Sequence, residues 1–365
     1  MRYLLLVWVM LASGVGLYSQ NVNKQIFPER KSVNRVELEL PQVDGYTLLR
    51  CDFHSHTIFS DGLVWPTYRV MEAWKTGLDV LAITDHIEYR PYKEFTNGDL
   101  NTSYNIALPV AKEMGVMLVK GVEITRKQGI YGHFNALFIQ DVNPIDTPDP
   151  EMAIKIAYDQ GAFITYNHPA WALDTCLLTD FQTAMIDKGY VHGIEVFNND
   201  EFYPRALSWS QDKKLTVFAG SDVHAVIVDN NGVHGSASAT SNFRPMTLVF
   251  VKEKSAEAVK DALLNRRTLA YFSDNVAGEE QLLKKLFLAS VQFVKVSSNN
   301  KQNFYKFSNN SGIPYVFSIG SMKYTLDAKS HILVGIPLES KNVDFVIHNM
   351  HCYENRQLKL SVNFL

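Results

Sequence analysis

The sequence predicts a mixed α/β fold, an irregular (β/α)7 barrel followed by a small C-terminal antiparallel β-domain. Apolar runs typical of strands alternate with amphipathic helical segments up to about residue 285, which favours parallel βα units. Several of these runs end in His, Asp or Glu. From about residue 286 short alternating runs replace the helices, and turns rich in Asn, Ser, Gly and Pro separate them. We therefore expect a barrel at residues 46–285 and a β-domain at residues 286–365.

The composition is that of a globular protein with no marked charge bias. The chain has 365 residues, of which 46% are hydrophobic and 20% charged, and its formal net charge is −3. Such a charge gives no electrostatic attraction to nucleic acid or to an anionic membrane. The three cysteines are too few and too scattered for a disulfide framework. Their pairing and the oligomeric state stay open at this stage.

The first 19 residues predict a cleaved signal peptide. Arg2 precedes an apolar run from Leu4 to Ala12, and small residues lead to a plausible cleavage site after Ser19. The apolar run is short for a bilayer span, which needs about 20 residues. We therefore expect a periplasmic or extracellular protein with no membrane span after cleavage, and an extended N-terminal arm at residues 20–45.

Strands and helices follow one another in a regular order through the barrel. The predicted strands are 47–53, 79–84, 116–123, 133–139, 163–166, 193–197, 215–219 and 246–251. The predicted helices are 66–74, 103–114, 150–160 and 255–264. Pro66 suits a first helical turn, Ser255 suits an N-cap, and Gly161 suits a helix end.

One connection breaks the parallel pattern. Only a short stretch containing Gly129 and Gly132 separates Glu123 from the strand that begins at His133. A parallel crossover needs about a dozen residues or more. The strand at 133–139 is therefore predicted to be a hairpin partner, which makes the barrel irregular.

The polar residues at the strand ends carry the functional signal. His54 and His56 lie two residues apart at the end of the first strand, so both side chains share a face and can bind one metal ion. Alone the pair is weak evidence, because strands often carry two polar residues on a solvated face. Further strands lead to Asp85-His86, Glu123, His168 and Asp222-x-His224, and His133 begins the hairpin strand. Barrel enzymes build their sites at the C-terminal ends of several strands, so this pattern favours a metal centre over isolated core histidines.

These motifs resemble those of the PHP family, the polymerase and histidinol phosphatase domains. Five motifs match over residues 52–224 and in the family's order: Asp52-x-His54-x-His56 with Ser60-Asp61-Gly62, Thr84-Asp85-His86, Gly121-Val122-Glu123 with Gly132-His133, Asn167-His168-Pro169, and Gly220-Ser221-Asp222-x-His224. The resemblance implies a barrel of the PHP type with three divalent ions at its mouth. It also implies a metal-dependent phosphoesterase.

The resemblance assigns the metal ligands position by position. The first ion would be held by His54, His56, Glu123 and Asp222, and the second by His133, His168 and a bridging Glu123. The third would be held by Asp61, His86 and His224, although family members often have a histidine where Asp61 stands. Mixed ligation by His and carboxylate fits Zn, Mn or Fe better than Mg or Ca.

This donor set suits hydrolysis of a phosphate ester. Three dications outweigh three carboxylates, and the positive surplus suits a phosphate dianion together with a hydroxide. Two close ions lower the pKa of a bridging water and hold the phosphoryl oxygens. We therefore expect metal-activated hydroxide as the nucleophile, positioned by Glu123, Asp222 and His224 as ligands. Asp52 and Asp85 are candidate partners that orient ligand histidines, and Arg126 is the candidate substrate contact.

The main expectation is a secreted phosphoesterase for a small phosphorylated substrate, with monoester and diester both open. A nuclease-type phosphodiesterase is an alternative, but the chain lacks a basic stripe interleaved with aromatic residues. The second alternative is a non-catalytic protein that binds metal or phosphate and has a ligand-binding β-tail. A metal-dependent amidohydrolase is a third, but such enzymes usually bridge their metals through a lysine, and no lysine ends a strand beside Glu123 and His168.

Overall fold

The computed structural model describes residues 35–227 and 244–364. The predicted signal peptide and residues 20–34 of the predicted arm lie outside these ranges. In the part of the chain that is described, no helix combines the length and the apolar character needed to cross a bilayer.

The first half of the described chain alternates strands with helices. Its strands are β1 Thr47–Asp52, β2 Val80–Ile83, β3 Met117–Thr125, β4 His133–Leu137, β5 Phe163–Tyr166, β6 Gly193–Asn198, β7 Glu201–Phe202 and β8 Thr216–Gly220. Its helices are α1 Pro66–Lys75, α2 Thr102–Met114, α3 Pro150–Asp159, α4 Asp180–Asp187 and α5 Pro204–Asp212, and a short 3-10 helix spans Asn143–Ile145.

The second half is richer in strands. They are β9 Met246–Val251, β10 Thr268–Phe272, β11 Asn275–Gly278, β12 Val291–Ser298, β13 Gln302–Asn309, β14 Tyr315–Ile319, β15 Met322–Leu326, β16 His331–Pro337, β17 Asn342–Tyr353 and β18 Arg356–Asn363. Its two helices are α6 Ala256–Leu264 and α7 Glu280–Ser290.

Helix starts fall where the sequence supplies caps. The Asp149 carboxylate accepts hydrogen bonds from the first backbone N–H groups of α3. Ser255 accepts from the N–H of Ala258, which confirms it as the N-cap of α6. Helix α2 runs through Pro109 without a break and ends at Gly115, whose φ of 70° is left-handed. Helices α4, α5 and α7 were not predicted from the sequence.

The main sheet brings the ends of its parallel strands to one edge. Neighbours β1, β2 and β3 run parallel, as do β5, β6 and β8. Strand β4 is antiparallel to both β3 and β5, which confirms the predicted hairpin and leaves β3 and β5 pointing the same way. Six strands therefore deliver their C-terminal ends to the same side.

Closure of this sheet into a barrel stays a prediction. Strand β8 pairs with β6, and β9 pairs with β1 and β10, but no backbone ladder joins β8 to β9 in the described ranges. Side-chain hydroxyls bridge the two sides instead. Thr247 in β9 donates to the carbonyl of Ala219 and accepts from its N–H, and Thr268 in β10 donates to the carbonyl of Val217.

The C-terminal strands form antiparallel sheets, as predicted. Strands β12, β13 and β16 make a separate three-stranded sheet, whereas β14, β15, β17 and β18 extend the main sheet. The junction is a parallel pairing of β11 with β17, in which Val276 lies opposite Met350. The predicted boundary at residue 286 falls inside α7, and the division into two domains stays a prediction. All three cysteines are free, and Cys51 is fully buried.

Replacing Thr247 by Val should destabilise the protein by about 1–3 kcal/mol, because the buried polar groups of Ala219 lose their hydroxyl partner while side-chain volume is kept. The free energy of unfolding in urea, measured with EDTA present, checks this. Thr325→Val, at an exposed position of β15, is the matched control and should change little. Equal stabilities of the two variants would show that the hydroxyl bridge contributes nothing.

Candidate metal centre

The predicted ligands converge at the C-terminal edge of the parallel strands. The rings of His54 and His56, just after β1, lie 5.2 Å apart between centroids. An isolated parallel bridge between His86 and Glu123 continues the pairing of β2 with β3 beyond its regular ladder. Contacts of 3.5 Å or less between nitrogen and oxygen link all nine predicted ligands, namely His54, His56, Asp61, His86, Glu123, His133, His168, Asp222 and His224.

Glu123 is the centre of this cluster. Its side chain is fully buried, and Oε2 lies 3.5 Å from Nε2 of both His54 and His56 and 2.8 Å from Nδ1 of His86. Oε1 faces the other way, 3.2 Å from His133 Nδ1 and 3.4 Å from His168 Nε2. Each carboxylate oxygen thus serves a different set of imidazoles, as a bridging ligand requires.

Asp222 completes the group around the first histidine pair. Its Oδ1 lies 3.1 Å from His54 Nε2 and 3.0 Å from His56 Nε2. Asp222 has a φ of 51°, a left-handed conformation that is uncommon outside glycine. The backbone N–H of Asp222 donates to the carbonyl of His54 at 2.9 Å, which fixes the end of β8 against the end of β1.

A third group gathers around Asp61. Asp61 Oδ1 lies 3.2 Å from His224 Nε2 and 3.5 Å from His86 Nε2. The ring of His56 stacks between the other two imidazoles, 4.3 Å from His86 and 4.1 Å from His224. The turn that carries Asp61 requires glycine at position 62, because a Cβ there would lie 2.7 Å from the backbone carbonyl carbon of His56.

The donor atoms fit divalent metal ions. The ligands form three sets, and within each set the ligand atoms lie within 4.8 Å of one another. The sets are His56, Asp61, His86 and His224; His54, His56 and Asp222; and His54, Glu123 and His168. Six buried donors of the cluster have no hydrogen-bond partner, namely His54 Nε2, His56 Nε2, Asp61 Oδ1, Glu123 Oε2, His133 Nδ1 and His168 Nδ1. Buried polar atoms are rarely left unsatisfied unless an ion or water pairs with them. His133 contacts Glu123 but is not a member of these three sets.

Burial and the neighbouring imidazoles oppose each other at the two central carboxylates. Burial alone would raise the pKa of Glu123, but His86 and His54 lower it well below its ordinary value. Burial would also raise the pKa of Asp222, and His54 and His56 lower it well below its ordinary value. Both side chains are therefore charged at neutral pH and can neutralise a bound cation.

The histidines divide according to what faces them. Burial would lower the pKa of His54, but Asp222 and Glu195 raise it well above its ordinary value. The pKa of His56 is lowered well below its ordinary value, because burial acts together with the imidazoles of His224 and His86. Carboxylate contacts outweigh burial and raise the pKa of His86, His168 and His224, whereas burial lowers that of His133.

Asp52 and Asp85 were predicted to orient the rings of ligand histidines, but their carboxylates bind other groups. Asp85 does not reach a ligand ring; its carboxylate accepts from Thr57 and from Ser60 Oγ, and Ser60 Oγ lies 3.4 Å from His56 Nδ1. Asp52 accepts from backbone N–H groups and pairs with Arg244. Both residues precede ligands in the chain, but their carboxylates order the backbone of the turns instead.

Glu195 is the partner that the sequence analysis missed. It lies in β6, is 2% exposed, and its Oε1 accepts from His54 Nδ1 at 2.8 Å. A charged residue in the middle of the otherwise apolar run 193–197 was the available signal. Asn167, next to His168, also contributes, because its Nδ2 donates to Glu123 Oε1 at 3.0 Å.

Arg69 of α1 was a second omission. It is fully buried, and its guanidinium donates to the carbonyls of His56 at 2.9 and 3.0 Å and of His224 at 3.1 Å. Its charge is paired with Glu72, whose carboxylate also accepts from the N–H of Ile227. Arg69 therefore fixes the backbone of two ligands of the Asp61 group.

The predicted substrate contact, Arg126, is occupied by protein partners. Its guanidinium pairs with Glu88 and donates to the carbonyl of Thr147 at 2.7 Å. At the mouth itself Trp171 is 48% exposed, with its ring 5.3 Å from His133 and 5.6 Å from His168 between centroids. Arg90 and Lys93 line a cavity of about 40 Å³ beside His86.

The protein is similar over most of its length to a solved two-domain protein from Bacteroides vulgatus that contains a predicted PHP-like metal-dependent phosphoesterase. The two share 37% identity, and the alignment covers 91% of this chain and 99% of the other, with a TM-score of 0.84. The chain belongs to the PHP family of metal-dependent phosphoesterases. The predicted family is thereby confirmed, and the prediction of an enzyme is confirmed at the level of that family.

Two curated proteins are similar to shorter parts of the chain. An uncharacterised protein of Methanocaldococcus jannaschii is 37% identical over 79 residues, and a 5'-3' exoribonuclease of Haemophilus influenzae is 36% identical over 74 residues. The matches span only 34% and 23% of the lengths of these relatives. No family model matches the chain.

Binding of Zn or Mn to the metal-free protein should release protons near pH 7. The raised pKa values of His54, His86, His168 and His224 keep protons on these rings above pH 6.5, and metal displaces them. Apparent affinity should therefore rise with pH through these values and then level off. The protonated rings also add to the free energy of unfolding of the metal-free protein. This contribution is fully present below pH 6.5 and is lost as the pH rises through the raised pKa values of these histidines.

Calorimetric titration in buffers of different ionisation enthalpy measures this release. The observed heat should depend on the buffer near pH 7, and this dependence should fade at higher pH. A binding heat that is the same in every buffer near pH 7 would contradict the assignment of protonated ligands.

Proposed function

We propose that the protein is a secreted metal-dependent phosphoesterase that hydrolyses a phosphate ester at a trinuclear site. The observation that carries this proposal is the convergence of buried imidazole and carboxylate atoms without hydrogen-bond partners around one bridging residue, Glu123. The similarity to a PHP-like phosphoesterase over 91% of the chain supports the same chemistry.

The ligand groups would divide the work between three ions. His54, His56, Glu123 and Asp222 would hold the first, and Asp61, His86 and His224 the third. Glu123, His133 and His168 would hold the second. Zn, Mn or Fe would suit these donors. The ions would supply a water of lowered pKa and positive charge for the phosphoryl oxygens.

The protein's own side chains would hold the ligands in position and keep bulk water out of the site. Glu123, Asp222 and His224 would be catalytic through their positions as ligands. Glu123 is completely buried, so both of its oxygens face the cluster and not solvent, although Oε1 also accepts from Asn167. Trp171 would form one wall of the mouth and limit solvent there. A small phosphorylated substrate would enter from this side.

The charge for binding substrate would come from arginine and lysine at the rim. Arg126 remains a proposed contact, and it would have to leave Glu88 to meet a phosphate. Arg90 and Lys93 are further cations beside His86. Guanidinium groups suit phosphate because two parallel N–H groups match two of its oxygens.

Metal-loaded protein should hydrolyse phosphomonoesters or phosphodiesters, and Glu123→Gln should lose roughly a hundredfold or more in kcat/KM, since even loss of an outer partner costs 10–100-fold. The measurement is turnover of both ester panels with Mn, Zn or Fe, together with the metal content of each variant. Glu253→Gln, at an exposed site before α6, is the matched control. No turnover of either panel with any of the three metals would refute the proposal.

A nuclease-type phosphodiesterase is the second candidate. The similarity to the Haemophilus influenzae exoribonuclease favours it, although that match covers 20% of this chain. The net charge of −3 argues against a nucleic-acid surface. Adding single-stranded RNA and DNA as substrates to the same assay distinguishes a nuclease from a phosphoesterase for small substrates, because a nuclease would cleave the nucleic acids faster than the small esters.

Export is the remaining part of the proposal and is supported by the charged and apolar segments of residues 1–19. The protein recovered from its native host should begin at residue 20, and mass spectrometry of its N-terminal peptide checks this. Recovery of peptides that contain residues 1–19 from the mature protein would contradict cleavage.

A further inference from the structure

Glu195 stands outside the ligand groups and yet touches two of their members. Its carboxylate accepts three hydrogen bonds, from His54 Nδ1 at 2.8 Å to Oε1, and from the His168 backbone N–H at 2.9 Å and Asn198 Nδ2 at 2.8 Å to Oε2. The residue is 2% exposed. Among the carboxylates of the described ranges that are not themselves predicted ligands, no other hydrogen-bonds to two ligand residues.

The contact with His54 determines which ring nitrogen is free. A carboxylate oxygen accepts a hydrogen bond, so Nδ1 carries the ring proton of the neutral imidazole and Nε2 keeps its lone pair. That Nε2 is the atom that faces Asp222 and Glu123, and it has no hydrogen-bond partner. Glu195 thus leaves the correct nitrogen of His54 free to bind an ion.

The contact with His168 holds an unusual backbone. His168 has a φ of 26°, in the region where residues other than glycine are strained. Glu195 holds its N–H, and Gln128 donates to its carbonyl at 3.0 Å. The ring of His168 is directed at Glu123 from this backbone.

The neighbouring strand leaves room for the carboxylate. At Gly220, the last residue of β8, a Cβ would lie 2.2 Å from Glu195 Oε1 and 2.7 Å from the Cβ of His54. Any larger residue would push Glu195 and His54 apart. The glycine therefore serves this one contact between β6 and the end of β1.

We propose that Glu195 is a positioning residue that sets the tautomer of His54 and the backbone of His168 together. It thereby fixes a predicted ligand of the first ion, His54, relative to a predicted ligand of the second, His168. This inference rests on the proposed function, because it assumes that these groups hold metal ions.

Glu195→Gln is the decisive change, since it keeps the volume and replaces one oxygen by an amide NH₂. If the NH₂ faces His54, the ring must accept at Nδ1, and its proton moves to Nε2 and blocks the ligand atom. If the NH₂ faces His168 and Asn198, it meets the His168 backbone N–H and Asn198 Nδ2, which are also donors, and both hydrogen bonds are lost. Either orientation should weaken metal binding by about 10–100-fold and lower the number of ions retained by at least one, with the Asp61 group still occupied.

The measurement uses the full chain, loaded with Zn and dialysed, with metal counted by mass spectrometry. Nitrogen–proton correlation spectra of the histidine side chains in the metal-free protein, recorded at a pH high enough to leave the His54 ring neutral, read its tautomer directly, which a merely structural role would not change. Glu195→Asp keeps an acceptor with shorter reach, so it should bind metal better than the Gln variant and less well than the original protein.

Asp79→Asn is the matched control, because it removes a buried carboxylate that pairs with Arg50 far from the ligands. It should lose stability and keep its full metal count. The inference is wrong if either Glu195 variant binds Zn as tightly as the original protein, and the Asp variant decides the matter if the Gln variant does not fold. If the original protein itself retains no metal, the proposed function fails instead.

Discussion

The burial of one carboxylate among imidazoles is the constraint on which the site depends. Glu123 could not remain charged without solvent unless other groups compensated its charge, and among the described residues the surrounding histidines do so, with one hydrogen bond from Asn167. Its position is set by backbone pairing: its N–H donates to the carbonyl of Asp85, its carbonyl accepts from Ile87, and its residue lies opposite Asn135 in β4. A slip of one residue in β3 would turn the carboxylate to the opposite face and remove the shared ligand from every group.

Much of the ligand set could be predicted because the geometry of parallel strands makes it local. Most ligands lie near or just beyond the C-terminal end of a parallel strand, and parallel strands end on the same side, so sequence position stands in for spatial position. The hairpin at Gly132 was equally local, because the connection is too short for a crossover. These inferences needed only strand periodicity and the lengths of connections.

What could not be predicted depends on contacts between distant segments. Asp52 and Asp85 lie close to ligands in the chain, but Asp52 pairs with Arg244 and Asp85 accepts from Thr57 and Ser60. Glu195 instead reaches His54 from another strand. The pairing of β11 with β17 is also long-range. Through it the C-terminal strands contact α5, where Tyr353 donates to Asp212 and Glu354 pairs with Arg205. A composition change at residue 286 marks no corresponding break in this sheet.

Arg69 has a consequence for the order in which the molecule is made. Its guanidinium joins the carbonyl of His56, among the first ligands synthesised, to those of His224 and Ala225, which follow the rest. The Asp61 group therefore cannot form on a nascent chain before β8, the last of the six parallel strands, and the residues just after it have emerged. Metal acquisition at this group would therefore follow the synthesis of all six parallel strands, and the ions would be drawn from the compartment where this part of the fold forms. Because availability as well as affinity decides which transition metal a site receives, the place of folding would help to choose the metal.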